Sequence, residues 1–283
     1  MREMGGMREM GPIFPIRPIS SLLWKAWVFF KRDLVTDLSY KFSFALEAIH
    51  ILIAIAAFYF LATLLGEKKL DGYDSFPFIL VGLAVNAYMT TCLVCFAQEI
   101  RGGQLMGTLK AVLTTSTSPT EFLVFSSVYP FARATLDVVA YGLGGLAFGL
   151  SLAQGNVIAA TLIFAASILA FSSIGMISAT FTLLFKRGDP LLWLFGSGSW
   201  LLGGVMYPNS VLPAALRGFA ELLPITHALR GLRAALLTDA SVADILPEVG
   251  ALMLFAMVGL PVSLAAFTIG LQRAKIAGTL GHQ

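Results

Sequence analysis

Six stretches of this chain are apolar over roughly the length that crosses a lipid bilayer, and nothing constrains its fold more. About twenty residues, each rising ~1.5 Å along a helix, span the ~30 Å hydrocarbon core of a membrane. Such stretches run over residues 42–65, 76–97, 130–152, 157–185, 191–205 and 249–271. No water reaches the backbone in hydrocarbon, so each must be a helix that satisfies its own hydrogen bonds. The sequence therefore predicts an all-α polytopic membrane protein with six transmembrane helices. Composition agrees: 57% of the 283 residues are hydrophobic and 12% are charged, which a soluble domain could hold only by exposing a large apolar surface. The net charge of +3 comes with no basic face carrying interleaved aromatics, so the expected partner is membrane lipid and not nucleic acid.

An even number of spans puts both chain ends on one side. Of the Lys and Arg residues, thirteen fall on that side and five (Lys68, Lys69, Arg217, Arg230 and Arg233) on the other, with Arg133 inside the third span. By the positive-inside rule both termini are expected in the cytoplasm. Residues 1–19 hold scattered Arg, Pro and Gly with no apolar core, which reads as a flexible cytosolic tail and not a cleavable signal peptide.

The fifth stretch is short and passes into a segment interrupted by Tyr207-Pro208, Leu212-Pro213 and Leu223-Pro224. Each proline removes a backbone donor and disfavours a continuous helix. A re-entrant helical hairpin is expected over residues 205–233, with the part from Tyr207 to Arg230 entering the outer leaflet as two short helices or turns. Backbone that turns back inside a membrane has to be hidden in protein or beside water, which usually marks a transport path. Arg217, Glu221, His227, Arg230 and Arg233 are then expected at the external headgroup level, framing the exit. An extracellular loop that merely covers the bundle is the alternative.

Ahead of the first span, Leu23, Trp27, Phe30, Leu34 and Leu38 recur at helical spacing opposite Lys25, Arg32 and Thr36. This predicts an amphipathic helix over 20–38 in the cytoplasmic headgroup layer, anchored by Trp24 and Trp27, although Lys31, Asp33 and Asp37 interrupt the pattern. A helix packed on another subunit is the competing reading. Residues 98–120 form a polar loop in which 107–113 has the pattern of a short helix.

Polar residues inside the spans are few: Glu47 and His50 in the first, Asn86 in the second, Arg133 and Asp137 in the third. A charge at mid-membrane costs about 2.5–3.5 kcal/mol on insertion scales, so each needs a partner. Arg133 and Asp137 are spaced to pair along one helix face, and Glu47 is placed to meet Arg133. A proton relay through Glu47, His50 and Asp137, as in an ion-coupled secondary transporter, competes with simple structural pairing. The cluster sits toward the cytoplasmic end and nothing comparable continues outward, which favours pairing. Cys92 and Cys95 lie in an apolar run with no His or carboxylate near enough in sequence to complete a site, so they read as small buried side chains and no metal site is expected. No H-E-x-x-H or G-x-S-x-G pattern occurs, and no catalytic residue is expected.

Taken in order, the amphipathic helix, the six spans, the Gly-Thr-Leu loop after the second and the Tyr-Pro…Leu-Pro…Pro-Ile-Thr-His-Ala-Leu-Arg segment before the sixth resemble the permease subunit of a type 2 ABC exporter. The resemblance runs from about Ser20 onward and implies one transmembrane permease domain over 20–283. It also implies that the loop is a coupling helix, gripped by an ATPase subunit at Gly107, Thr108, Leu109 and Lys110. Members often carry charged residues directly before the Gly-Thr-Leu. Here Gly103-Gln104-Leu105-Met106 stand there, with Glu99 and Arg101 farther back as the charged candidates for the contact. No G-x-x-x-x-G-K-[ST] loop occurs, so this chain is expected to bind no nucleotide, and ATP and Mg to sit on a separate ATPase. The resemblance further implies two permease copies, as homodimer or with a related permease, and two ATPase copies in a bacterial or archaeal plasma (inner) membrane. The expected function is ATP-driven export without catalysis by this chain. An apolar, aromatic-rich interior suits an amphipathic drug, a lipid or a lipid-linked glycan.

Overall fold

The structure is a computed structural model that describes residues 22–66, 69–105, 118–152, 155–185 and 190–276. The tail over 1–19 and the expected coupling residues Gly107, Thr108, Leu109 and Lys110 lie outside the described residues. The elements are α1 (Leu22–Ser39), α2 (Lys41–Leu65), β1 (Lys69–Leu70), β2 (Tyr73–Asp74), α3 (Ser75–Leu105), α4 (Pro119–Ala147) and α5 (Val157–Leu184). They continue with α6 (Pro190–Leu202), a 3-10 turn (Asn209–Val211), α7 (Ala214–Glu221), α8 (Pro224–Leu237) and α9 (Val242–Ile276). The described residues are all-α apart from a hairpin of two-residue strands, whose Asp71 (φ 55) and Gly72 (φ 88) both take the positive φ that a tight primed turn requires.

Among the described residues, five helices are long and apolar enough to cross a membrane: Phe44–Leu65, Ser75–Leu105, Pro119–Ala147, Val157–Leu184 and Val242–Ala274. The remaining expected span, α6, has 13 residues and so reaches only about 20 Å before the chain breaks. Two expected boundaries move. Helix α3 runs through Leu105, so Glu99 and Arg101 lie on its last turns and not in a loop beginning at 98. Helix α4 begins at Pro119 and carries Pro130 in its interior. Its start is fixed by a capping box: Ser118 Oγ accepts the Glu121 N–H at 3.1 Å, while Glu121 Oε2 accepts the Ser118 N–H at 3.3 Å. Pro119, at the first helical position, gives up a donor that would have had no partner.

Helix α3 is the centre of the bundle and largely buried, whereas α2 is peripheral and mostly exposed. Around α3 lie α2, α4, α5, α6 and α8, and α5 in turn packs on α8 and α9. Tyr88, Met89, Cys92, Leu93, Ile163, Phe171 and Leu252 form the core between them. Small residues bring backbones together. A Cβ on Gly175 of α5 would stand 2.2 Å from the carbonyl oxygen of Cys92 in α3, and one on Gly259 of α9 would stand 2.4 Å from Ser173 Oγ in α5. In a bilayer, where apolar side chains gain nothing by leaving lipid, such close van der Waals contact is what holds helices together.

Helix α1 lies against α4 with only part of the face its sequence pattern marks, Phe30 and Leu34, turned inward. Phe29, Phe30, Asp33, Leu34 and Asp37 turn toward the bundle, whereas Trp24, Trp27, Val28, Val35 and Leu38 are exposed. Rings set the inner face: Phe29 meets Phe122 at 5.9 Å and Phe30 meets Tyr129 at 5.6 Å between centroids. Asp37, one of the residues that interrupt the apolar pattern, is therefore the one that finds partners in the bundle, whereas Asp33 bonds to Arg32 of its own helix.

Candidate functional site

Helix α6 ends at Leu202, and the chain turns through Gly203 and Gly204, the latter at φ 75. Leaving a helix inside a packed bundle strands backbone carbonyls that need donors. The carbonyl oxygen of Val205, a fully buried residue, accepts from Arg233 Nη2 of α8 at 3.0 Å. The same guanidinium donates to Phe78 O, in the first turn of α3, through Nε at 3.2 Å and Nη2 at 3.0 Å. It lies over the Phe78 ring, 3.4 Å from the centroid. Gly82, one turn along α3, makes room, since a Cβ there would stand 2.1 Å from Val205 O. Arg233 thus ties α3, the end of α6 and α8 together.

The sequence pattern placed Arg233 among exposed external charges, but it is only 5% exposed. It shares the face of α8 that carries Ile225, Leu229 and Leu232, and that face packs into the core. Arg233 makes no ion pair among the described residues. Burial lowers its pKa to about 9, against the opposing pull of Tyr73 and Asp71, and it stays cationic at neutral pH.

The three prolines punctuate the segment: Pro208 precedes the 3-10 turn, Pro213 caps α7 and Pro224 opens α8. Side chains replace the backbone bonds they interrupt. Arg217 Nε donates to Leu212 O at 2.8 Å and its Nη2 to Ser210 O, while the Tyr207 hydroxyl donates to Leu201 O. Thr226 Oγ1 donates to Ala220 O at 2.7 Å.

Four charged groups then lock α7, α8 and α9. Arg230 Nη2 meets Glu221 Oε1 at 2.5 Å and its Nη1 meets Glu248 Oε1 at 3.0 Å. His227 Nδ1 lies 2.6 Å from Glu248 Oε2 and Nε2 lies 3.0 Å from Glu221 O. The hydrogen bond to Glu248 is the main cause of a His227 pKa raised above the usual value, outweighing burial. Spacing in sequence placed Glu221, His227 and Arg230 together; Glu248, on the next helix, is the partner it missed.

Helix α8 runs toward the hairpin end of the bundle. Near its start the His227 ring is 6.0 Å from that of Phe255, roughly 20 Å along α9 from its first residue. At its far end Ala235 O accepts from Asn156 N at 2.7 Å, in the loop beside the β hairpin. Between the hairpin, the break and α7–α8 lies a cleft of about 230 Å³, lined by Asp71, Tyr73, Gly204, Asn209, Arg217 and Arg233.

At the opposite end of the bundle Arg133 of α4 gathers three carboxylates: Glu47 of α2 at 2.5 Å, Asp37 of α1 at 3.8 Å and Asp137 at 3.9 Å. Its guanidinium also lies 4.0 Å from the Phe44 ring centroid, and the Tyr129 hydroxyl donates to Asp37. The expected pairing of Arg133 with Glu47 and Asp137 is present. His50 is exposed on α2 and makes no ion pair with the cluster among the described residues. Lys25 to Glu121, at 2.9 Å, and Arg32 to Glu99, at 3.7 Å, complete the attachment of α1. Glu99 therefore already has a partner within the chain, while Arg101 is exposed. Among the described residues no group of three or more His, Cys, Asp or Glu is arranged to hold a metal ion.

Comparison with known families adds an independent finding: the family model described as ABC-2 type transporter matches residues 22–237. That stretch takes in α1 through α8, hence the Arg133 cluster and the broken segment between α6 and α8. No curated protein matches the chain.

Proposed function

The chain belongs to the ABC-2 type transporter family, as the membrane-spanning permease component, and on that premise we propose that it serves an ATP-driven exporter. The observation that carries this reading is the distribution of charge. Arg133 and its carboxylates occupy one end of the bundle, and Arg230, Arg233, Glu221 and Glu248 the other. Between them the inner stretches of α3, α5 and α9 carry no Asp, Glu, Lys, Arg or His. A protein driven by an ion gradient needs titratable groups along its path. A permease pushed from outside by an ATPase does not.

In this reading the hairpin end faces outward and both termini lie in the cytoplasm of a bacterial or archaeal plasma membrane. Residues 207–230 form a re-entrant element, supported by the short lengths of α7 and α8 and the outward course of α8. Gly107, Thr108, Leu109 and Lys110, with Glu99 and Arg101 beside them, dock on a separate ATPase that holds ATP and Mg. Two permeases and two ATPases make the working complex, and an amphipathic or lipid-like molecule is the cargo. Tight attachment of α1 to α4 gives a push at the cytoplasmic face a rigid route into the bundle.

Reconstitution with the cognate ATPase tests the reading. Export is expected to stop on ATP depletion and to persist when an uncoupler collapses the proton gradient. Export that survives ATP depletion and collapses with the gradient would transfer the assignment to an ion-coupled transporter using Glu47, His50 and Asp137.

A further inference from the structure

The cleft beside the β hairpin holds a buried cation that the described residues do not neutralise. Arg233 is almost fully buried and lacks an ion pair there, and its bonds to Phe78 O and Val205 O use only Nε and Nη2. A carbonyl dipole offsets part of the cost of burying a charge, but not the whole of it. Arg217, which is exposed and also lines the cleft, spends Nε and Nη2 on carbonyl oxygens. Both side chains line the cleft, and neither has an acceptor for Nη1 among the described residues.

The other charges in the cleft divide unequally. Arg230 and Glu221 also line it but are paired with each other at 2.5 Å. Asp71 is the remaining carboxylate, and it makes no ion pair among the described residues. Two cations against one anion leave one positive charge unmatched. The volume of about 230 Å³ lies below the ~300 Å³ at which sites for drug-sized molecules begin, so the occupant is a headgroup and not a whole substrate.

We infer that this cleft binds one anionic phosphate group between Arg233 and Arg217, supplied either by a phospholipid headgroup or by a soluble phosphate ester. Guanidinium groups match the oxygen geometry of phosphate and carry their charge at every physiological pH. The Phe78 ring under Arg233 and the carbonyls on its far edge fix the plane of the fork before the ligand arrives. The inference goes beyond the exporter reading, because it concerns binding and needs neither the ATPase nor transport.

Native mass spectrometry of the full chain, released from a maltoside detergent, tests it. The probes are dioleoylphosphatidylglycerol, glycerol 1-phosphate and uncharged dioleoylglycerol. Phosphatidylglycerol is expected to bind at least about tenfold more tightly than dioleoylglycerol, a margin of one factor of ten in Kd. Binding of glycerol 1-phosphate as well assigns the site to soluble phosphate esters; binding of phosphatidylglycerol alone assigns it to a lipid headgroup. Arg233 holds the fold together, so the variants avoid it. Asp71→Asn suits φ 55 and removes the competing carboxylate, and it is expected to tighten binding about threefold or more. Arg217→Gln is expected to weaken it about tenfold. Equal binding of the charged and uncharged lipids, or no tightening in Asp71→Asn, overturns the inference.

Discussion

His227 Nδ1 and Glu248 Oε2 stand 2.6 Å apart, joining α8 to α9, while the other ring nitrogen faces the backbone oxygen of Glu221. A carboxylate and a carbonyl both only accept, so the ring satisfies both only when each nitrogen carries a proton. The raised pKa agrees with that state. Because the folded value lies above the ordinary 6.5, the stabilisation is complete below 6.5 and is lost as pH rises through the folded value. The melting temperature of the purified chain should therefore fall on going from about pH 6 to about pH 8.5. His227→Gln should start lower by about 1 kcal/mol and lose that slope. A wild-type profile as flat as the variant's would show that the imidazolium is not holding the lock.

Gly82 is where α3 admits the carbonyl of Val205. Gly82→Ala is expected to destabilise by about 1–3 kcal/mol, because the added methyl meets backbone oxygen that cannot move aside. Gly142, in α4, has open space where a methyl group would stand, and Gly142→Ala should stabilise by up to about 1 kcal/mol. Thermal unfolding of the two variants side by side checks both signs.

Removing Arg133 leaves Asp37, Glu47 and Asp137 facing one another. Arg133→Gln is expected to cost about 2 kcal/mol, below the usual value for a fully buried pair because the Glu47 side chain is 46% exposed. Loss of the network should free α1, read as faster tryptic cleavage at Lys31 or Arg32. Adding Asp37→Asn and Glu47→Gln should restore protection. Unchanged cleavage in Arg133→Gln would mean that the aromatic contacts alone hold α1.

Leu109→Asp is expected to abolish ATP-coupled export while leaving membrane insertion intact, since a carboxylate at an apolar docking contact finds no partner. Co-purification of the ATPase, assayed beside transport, separates loss of docking from misfolding. Normal association and normal export in this variant would exclude 107–113 as the docking segment.

What could be read from the sequence was whatever local chemistry decides. The apolar runs located the five helices that, among the described residues, are long and apolar enough to cross a membrane, and the prolines located α7 and α8, because a missing donor acts at its own position. The third apolar run opened at residue 130, yet its helix starts at Ser118-Pro119-Thr120-Glu121, whose capping box was visible in the letters. Partners across the fold were harder. Arg133 with Glu47 was anticipated from charge alone, whereas Asp37 looked like noise in an amphipathic helix until Arg133 and Tyr129 appeared beside it. Arg233 was misplaced because position in an apparently external segment says nothing of which helix face turns inward. Its targets, two backbone carbonyls, leave no mark on a sequence.

The pairing of Glu47 with Arg133 also sets a timetable for making the protein. The two residues are 86 positions apart, and a ribosome adding about 5–20 residues per second makes the second roughly 4–17 seconds after the first. For that interval the carboxylate waits with its guanidinium not yet synthesised. Glu47 lies in the second turn of α2, close to the helix start, where the nascent helix can keep it in the headgroup water. Placed at mid-helix, the same side chain would have to cross the hydrocarbon uncompensated, and insertion of the first span would stall before its partner left the exit tunnel.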